Sequence, residues 1–319
     1  METKTFTYKV VEEDNQLLAD LHWQKDSRTT VDGYGHPIVL ILHGGGLVVG
    51  SKDTIPKPQI SYLTRAGFLV VVPNYRLCPQ VSAFEGPITD SKDCLIWAIS
   101  NASSLLSQEA AADGYQVNTE KVVVMGHSGG GGLALNIPNQ SDLPVQISAV
   151  LDFYGAKYLD DPSYSQPHPW FTSREESWDE EYINRVFDGP EVSAADLYLG
   201  TELPPPRDAW LTSQFKRGKW LSEVVRDGNV GRVDGAKGFS KTYPPTMFIH
   251  GLSDTFDPCA VSERAHAELQ GLGVDTELLL VPGKDHMFDL MLQEENQEFL
   301  DFVVPGLKFL SEKVGLQVL

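Results

Sequence analysis

Apolar residues follow two different patterns along the first third of the chain, and both predict strands. The segments TFTYKV and QLLADLHW alternate apolar and polar residues, which is typical of an antiparallel pair of strands with one face in solvent. The segments PIVLIL and FLVVVP are continuous apolar runs, as expected for strands that are covered on both faces of a sheet. The chain therefore begins with an antiparallel pair and continues into a buried sheet.

Further apolar runs alternate with helical patterns as far as the end of the chain. Four more strands are predicted by KVVVMG, VQISAVLDFYG, PTMFIHG and TELLLVPG. Helices are predicted at 56–66, at 87–106, after the glycine run at 129–132, in PCAVSERAHAELQGLG and in NQEFLDFVVPGLKFLSEKVG. Such β-α alternation favours an α/β fold, in which helices flank a mostly parallel sheet.

The segment from 156 to 240 interrupts this alternation. It contains four of the six tryptophans, Trp170, Trp178, Trp210 and Trp220, among short helical and proline-rich stretches. Ligands of open α/β sheets bind beyond the carboxyl ends of the strands, so we expect this insertion to form a helical cap over that edge. The predicted division is a core of 1–155 and 241–319 with a cap or lid of 156–240.

Composition and charge exclude several classes of partner. The formal net charge of the 319 residues is −19, which repels nucleic acid and anionic membranes. Three cysteines without CxxC spacing indicate neither a metal site nor a disulfide framework. The polar N-terminal stretch lacks a secretion signal and no apolar run is of membrane-spanning length, so a cytoplasmic protein is predicted. A homodimer is one open alternative for its assembly.

The stretch KVVVMGHSGGGG places one serine where a strand meets a helix. Residues Gly126 to Gly130 fit G-x-S-x-G, the pattern of a strained turn that exposes a nucleophilic serine, here Ser128. Glycine on either side gives the backbone room to turn sharply. The amide of Gly129 then lies at the N-terminus of the following helix, where partial positive charge can stabilise an oxyanion.

The same glycines also fit a second motif. Gly129, Gly131 and Ala134 match the dinucleotide fingerprint, with Asp152 about 20 residues further along the chain. This alternative predicts an NAD(P)-binding oxidoreductase. The oxidoreductase alternative is less favoured, because Pro138 stops the helix soon after the helix starts. A dinucleotide site would also give no role to three further features of the sequence, described next.

The first of these features is His43-Gly44-Gly45-Gly46, directly after the strand PIVLIL. Acyl-transfer enzymes need backbone N–H groups aimed at the developing oxyanion, and loops of this type supply them. We expect the amide of Gly45, together with that of Gly44 or Gly46, to form an oxyanion hole with the amide of Gly129. His43 is interpreted as ordering the loop through hydrogen bonds.

The other two features are an aspartate and a histidine that follow later strands. Asp254 and Asp257 both come after PTMFIHG, and His286 follows TELLLVPG. The chain order Ser…Asp…His is that of a serine hydrolase triad in this topology. We assign the triad to Ser128, Asp254 and His286, and we interpret Asp257 as the N-cap of the next helix. Asp285 and Asp289 are expected to be surface or supporting groups.

With these four motifs in order, the chain resembles the α/β-hydrolase superfamily, and within it the hormone-sensitive-lipase-like carboxylesterases. The resemblance runs from about Ile38 to the C-terminus. It implies an eight-stranded, mostly parallel sheet, a serine esterase mechanism and no cofactor or metal. The chain departs from many members of that group, which have Asp and Ala where this chain has His127 and Gly129.

Two other resemblances bear on the substrate. Kynurenine formamidases share an HGG loop and a GHS turn, but an aromatic residue is expected where this chain has Leu47. The segment LDFYG and the aromatic insertion look like fungal hydrolases of secondary metabolism. The substrate-binding residues predicted here are Leu47, His127, Tyr154, Trp170, Phe171 and Trp210.

The predicted reaction is hydrolysis of a carboxylic ester or lactone of a small apolar or aromatic molecule through an acyl-enzyme. An arylformamidase or amidase, an acyltransferase and a C–C hydrolase are alternatives that use the same triad. A ligand-binding pseudo-enzyme is a more remote alternative, because such proteins typically lose a triad member and all three are present here.

Overall fold

One sheet organises the part of the chain that the structure describes. The structure is a computed structural model, and it describes residues 1–12, 15–25, 33–198, 200 and 202–316. The eight strands within these ranges are β1 (Glu2–Glu12), β2 (Asn15–Trp23), β3 (His36–Leu42), β4 (Leu69–Pro73), β5 (Val117–His127), β6 (Ala149–Phe153), β7 (Thr246–Gly251) and β8 (Thr276–Val281).

The strand order explains how distant loops reach the same edge. The order is β1-β2-β4-β3-β5-β6-β7-β8. β2 is antiparallel to both β1 and β4, and the remaining pairs are parallel. The mostly parallel, eight-stranded sheet is therefore confirmed. Since β3, β5, β7 and β8 run in one direction, the loops that follow them all lie at the carboxyl edge of the sheet.

Both faces of the central strands are buried. Along β3, Ile38 and Leu40 belong to the apolar core on one face, whereas Val39 and Ile41 belong to the core on the other. Side chains alternate between the two faces of a strand, so a strand covered on both sides needs apolar residues at every position. This is why PIVLIL is an unbroken apolar run.

The helices flank the sheet as the periodicity predicts. They are α1 (Lys57–Ala66), α2 (Thr89–Leu106), α3 (Gly129–Asn136), α4 (Pro169–Thr172), α5 (Glu180–Asn184), α6 (Pro206–Arg217), α7 (Trp220–Val224), α8 (Ala260–Gly271) and α9 (Val304–Lys313). Two helices begin later than predicted, because π-helical turns precede them at Phe84–Ile88 and Phe299–Val303. α3 ends before Pro138, as expected, because proline has no amide hydrogen to donate within a helix.

The inserted segment, residues 156–240, carries helices α4 to α7 between β6 and β7. Its buried aromatic residues, including Trp210 and Phe215, belong to the same apolar cluster as Leu40 of the sheet. The segment therefore packs on the sheet through a shared core. The division of the chain into a core of 1–155 and 241–319 and a cap of 156–240 stays a prediction.

The described ranges contain no helix with the length and apolar composition that crossing a membrane would require. Nor do the side chains in those ranges form any group of three or more His, Cys, Asp or Glu that could hold a metal ion.

Candidate active site

Ser128 occupies a strained turn between β5 and α3. Its backbone angles are φ 53° and ψ −122°, a conformation that costs a non-glycine residue free energy and is concentrated at functional sites. Its amide donates to the carbonyl of Phe153 at the end of β6, at 2.9 Å. The turn thus holds the serine side chain at the carboxyl edge of the sheet.

Close backbone contacts explain the glycines around the serine. A Cβ atom on Gly126 would lie 2.0 Å from the carbonyl oxygen of Gly130. A Cβ atom on Gly130 would lie 2.2 Å from the carbonyl oxygen of Leu42. Both distances are far below van der Waals contact. The helix therefore begins with glycines because it starts against the backbone of β3 and β5.

The structure brings together the three residues predicted for the triad. His286 Nε2 lies 2.9 Å from the hydroxyl of Ser128, and His286 Nδ1 lies 2.8 Å from Asp254 Oδ2. The imidazole is packed between the rings of Phe256 and Tyr154, with centroid distances of 4.8 and 4.7 Å. The three side chains thus form a continuous hydrogen-bonded chain from a hydroxyl to a buried carboxylate.

The carboxylate of Asp254 is held by four donors. Its Oδ1 accepts from the amides of Phe256 and Asp257, both at 2.8 Å. Its Oδ2 lies near both His286 and His250, the latter at 3.2 Å. Burial disfavours the charge, but the hydrogen bonds from His250 and His286 outweigh it, so the pKa of Asp254 lies well below its usual value. Asp254 is therefore a fixed anion.

The N-cap prediction for Asp257 is wrong. Helix α8 begins at Ala260 with Cys259 at its N-cap position, because a turn closed by the Val261 amide and the Pro258 carbonyl comes first. The buried carboxyl of Asp257 accepts instead from the hydroxyl of Tyr164 at 3.1 Å. Burial raises the pKa of Asp257 above its usual value.

The loop after β3 lies against the start of α3. A Cβ atom on Gly129 would lie 3.4 Å from the amide nitrogen of Gly46 and 3.3 Å from that of Leu47. Gly45, at φ 113°, passes so close to Val49 that a Cβ atom would lie 2.1 Å from its carbonyl oxygen. The first amides of a helix have no partner within the helix. Backbone N–H groups from two elements therefore meet beside Ser128.

His43 orders this loop, in agreement with the interpretation from sequence. Its ring Nδ1 lies 2.8 Å from the carbonyl oxygen of Gly44, and its ring stacks on that of Tyr75 at 4.1 Å. The hydroxyl of Tyr75 donates to the carbonyl of His43 at 2.7 Å. Burial lowers the pKa of His43 to about 4, so its imidazole is neutral at physiological pH.

The inserted segment holds the same loop at three points. Trp220 Nε1 donates to the carbonyl of Gly46 at 2.9 Å, and Arg207 donates to that of Val48 at 3.2 Å. Gly50 and Ala195 exchange two backbone hydrogen bonds, at 2.7 and 3.0 Å. The glycine loop is thus fixed from the side opposite the sheet.

Ser128 lies where two cavities meet. The larger cavity, of about 510 Å³, is walled by apolar and aromatic side chains of the inserted segment that include Trp170, Phe171 and Trp178. The smaller cavity, of about 240 Å³, is lined by Tyr164 and Trp220 among others. Phe215 and Phe256 line both. A bound molecule could therefore extend from the serine in two directions.

The predicted substrate-binding residues are distributed unevenly. Trp170 and Phe171 line the larger cavity. His127 and Tyr154 line a narrow cleft of about 30 Å³ beside Ser128. Leu47 is buried at the glycine loop, and its amide faces Gly129. The structure places Trp210 away from both cavities, buried within the inserted segment with its ring against Phe187.

Asp289 is not a surface group, contrary to one of the two roles expected for it. It is buried and accepts from the hydroxyl of Tyr154 and, at 2.6 Å, from Gln59 Nε2. His127 Nε2 lies 3.1 Å from its Oδ2. These contacts connect the turn at Ser128 to α1, so Asp289 and His127 help to hold that turn in place.

Sequence reasoning missed two contributors to the site. His250 belongs to no sequence motif, yet it lies against Asp254; its place at the end of a strand, four residues before the aspartate, is the available signal. Phe256 packs on the imidazole of His286, and no sequence pattern distinguishes it from other loop aromatics.

Two family models match the chain. A model described as the alpha/beta hydrolase fold matches residues 39–199, and a model of the prolyl oligopeptidase family matches residues 216–315. The first match includes the glycine loop and Ser128. The second includes Asp254 and His286. Together they contain the three residues of the hydrogen-bonded chain, Ser128, His286 and Asp254.

Fungal polyketide synthases are among the similar proteins. The chain is 32% identical to a non-reducing polyketide synthase of Penicillium brevicompactum, over 96% of this chain and 15% of that protein. It is 30% identical to one of Penicillium brasilianum, over 94% of this chain and 13% of that protein. The chain thus spans about one seventh of the length of the curated relatives that it matches.

Solved structures share the fold at low sequence identity. A Staphylococcus aureus protein of unknown function superposes with a TM-score of 0.69 at 20% identity, covering 97% of this chain and 99% of that one. A thermophilic esterase of Thermogutta terrifontis gives a TM-score of 0.63 at 17% identity, covering 98% and 93%. A bacterial heroin esterase gives 0.65 at 17%, covering 98% and 84%. These structures share the fold, and the family model that matches residues 39–199, half of the chain, shows that the chain belongs to the α/β-hydrolase family.

Proposed function

We propose that the protein is a serine hydrolase in which Ser128 is the nucleophile, His286 the general base and Asp254 the group that orients the imidazole. The observation that carries this proposal is the hydrogen-bonded chain from Ser128 through His286 to Asp254. A carboxylate on Nδ1 keeps the proton there and leaves Nε2 free to accept the serine proton.

The reaction follows from this geometry. Ser128 Oγ attacks the acyl carbon while His286 Nε2 takes its proton, and the same proton passes to the leaving alcohol. Amides of the Gly44–Gly46 loop and of Gly129 stabilise the oxyanion. Water then adds to the acyl-enzyme, His286 accepts its proton, and the carboxylic acid leaves as Ser128 regains its hydrogen.

We assign the acyl group to the aromatic polyketides. The relatives named above are non-reducing polyketide synthases, and a poly-β-keto chain whose ketones are not reduced condenses readily to a phenolic ring. The larger cavity, with walls that include Trp170, Phe171 and Phe215, suits such a ring. The proposed substrate is an ester or lactone of an aromatic polyketide acid.

Acyl transfer to an alcohol is a second candidate. The smaller cavity opens on Ser128 from another side and is lined by polar side chains that include Ser163, Tyr164 and Gln166. It could hold an alcohol that takes the place of water in the second step. Mass analysis of the products, with and without an added phenol or aliphatic alcohol, separates the two outcomes.

The nucleophile is tested by labelling with a fluorophosphonate and mapping the modified residue. We expect the label on Ser128, and we expect Ser128→Ala to lower kcat by roughly 10⁶-fold, as for other triads. Ser104→Ala is the control, because Ser104 is exposed on α2 and bonds only to its own helix. Normal turnover by Ser128→Ala would rule out the assignment.

The substrate class is tested with p-nitrophenyl esters of acetate, benzoate, 2,4-dihydroxybenzoate and palmitate. The proposal predicts that kcat/KM is highest for an aromatic acid and lowest for palmitate. Trp170→Ala and Phe171→Ala should raise KM for the aromatic esters more than for acetate. A preference for palmitate would contradict the assignment of the larger cavity.

A further inference from the structure

A buried ion pair lies close to the proposed triad. Lys157 and Asp152 are both fully buried, with Lys157 Nζ 2.8 Å from Asp152 Oδ2. The ammonium also donates to the carbonyl of Gly155 at 2.6 Å and to the hydroxyl of Ser262 at 2.9 Å. An ammonium accepts no hydrogen bond, so the Ser262 oxygen is the acceptor in its contact with Lys157.

The hydroxyl of Ser262 also lies 2.8 Å from Nδ1 of His250. A hydroxyl can donate or accept, so the direction of this hydrogen bond is decided by what faces the other ring nitrogen.

The other ring nitrogen, Nε2, lies 2.9 Å from the carbonyl oxygen of Asp257 and 3.2 Å from Asp254 Oδ2. Both of these atoms are acceptors, so Nε2 carries the proton and shares its N–H group between them. In the singly protonated ring Nδ1 is then the acceptor, and the Ser262 hydroxyl donates to it. The His250 ring is fully buried, so water does not compete for this N–H group.

We propose that His250 is a positioning residue that holds the Asp254 carboxylate in place and ionised for His286, and that Ser262, itself bonded to Lys157, holds the ring of His250 from the other side. This inference rests on the proposed function, because it concerns the same triad. It extends the chain of polar contacts from three residues to six, ending at Lys157, which is ion-paired with Asp152. The fixed charges at its far end lie outside the substrate cavities.

The polar neighbours of His250 come from several elements. The titratable and charged groups near it are Lys157, Asp254, Asp257, His286, Tyr154 and Tyr164. Among them Asp254 is the one whose ionisation the reaction uses. Removing the His250 donor leaves more negative charge density on the Asp254 carboxylate that faces His286, which favours the protonated imidazole. The acid limb of the kcat/KM profile should therefore move to higher pH.

The test compares His250→Leu, His250→Gln and Ser262→Ala on p-nitrophenyl benzoate. The Leu variant removes the donor, and we expect kcat to fall ~10- to 100-fold, the rate equivalent of one hydrogen bond to a charged group. KM should change less than about twofold, and the acid limb should rise by roughly half a pH unit or more. The Gln variant keeps an N–H donor and should restore most of the rate.

Ser262→Ala keeps the histidine and removes only the hydroxyl that bonds to its Nδ1, so it covers the case in which His250→Leu does not fold. We expect a drop in kcat of roughly 3- to 10-fold, with the acid limb again at higher pH. His36→Gln is the matched control, because His36 is a buried histidine at the start of β3, at the opposite edge of the sheet.

The outcomes separate this inference from the proposed function. Wild-type protein that shows no fluorophosphonate label on Ser128 contradicts the proposed function itself. Labelled, active protein whose Ser262→Ala and His250→Gln variants both keep the wild-type kcat and pH profile overturns the role of His250. A loss of rate that Gln restores, with the shifted acid limb, supports it.

Discussion

At the scale of single residues, the site depends on backbone contacts that leave no room for a side chain. Ser128 adopts a strained conformation, and the strand and helix on either side approach within contact distance at Gly126 and Gly130. Strain of this kind persists only where the surrounding structure supports it. These glycines therefore act on the site indirectly, because they allow the backbone to hold Ser128 in this conformation.

We expect Gly130→Ala to destabilise the protein by roughly 3 kcal/mol or more, because the added methyl would lie 2.2 Å from the carbonyl oxygen of Leu42 and 2.4 Å from that of His43. Denaturant unfolding measures the change. Gly271→Ala in α8 is the control, since a Cβ atom there meets nothing within 4 Å and alanine favours a helix. Equal stability of the two variants would contradict this account.

At the scale of elements, the inserted segment supports the glycine loop as well as enclosing the cavities. Trp220 in α7 and Arg207 in α6 each donate to a carbonyl of that loop, while Gly50 pairs with Ala195. The amides of Gly46 and Leu47 lie near the start of α3, whereas the carbonyls of Gly46 and Val48 accept from the inserted segment. The conformation of the loop thus depends on both sides.

Trp220→Phe should lower kcat by up to about 10-fold with little change in KM. The substitution removes the Nε1 donor to Gly46, worth about one neutral hydrogen bond, and keeps an aromatic ring to stack on Phe215. Trp97→Phe is the control, because Trp97 packs on β1 far from the loop. An effect on KM alone would assign Trp220 to substrate binding instead.

At the scale of the whole molecule, buried histidines make stability depend on pH. Burial lowers the pKa of His22 to about 4, from an ordinary value of 6.5. Between these values the unfolded chain binds a proton that the folded protein does not. The free energy of unfolding therefore falls as the pH drops from 6.5 towards 4. His43, also at about 4, acts in the same direction.

His22→Gln should reduce the loss of unfolding free energy at low pH, because the variant has no imidazole at this position to protonate in the unfolded chain. We expect it to lose on the order of 2 kcal/mol less than the wild type between pH 8 and pH 4.5. Urea unfolding at the two pH values gives the comparison. The measurement at pH 8, where the histidine is neutral in both states, corrects for lost packing. Identical losses would show that His22 does not contribute.

The amino-acid sequence alone determined where the strands lie along the chain, that most of them are parallel, and which chemical groups follow them. Apolar periodicity is a local property of the sequence. A strand that is buried on both faces is seen as an unbroken apolar run, as in β3 and β4. Parallel strands with helical connections must present their carboxyl ends at one edge. The sequence therefore predicts that the motifs that follow β3, β5, β7 and β8 converge.

Only the tertiary structure decided which side chains touch. Lys157 and Ser262 are 105 residues apart and Trp220 and Gly46 are 174 residues apart, and no periodicity relates such positions. The direction of a side chain depends on its rotamer and its packed neighbours. That is why Trp210 lies in a core when a cavity wall was expected, why Asp257 bonds to Tyr164 when an N-cap was expected, and why the contact of His250 with Asp254 became visible only in the folded chain.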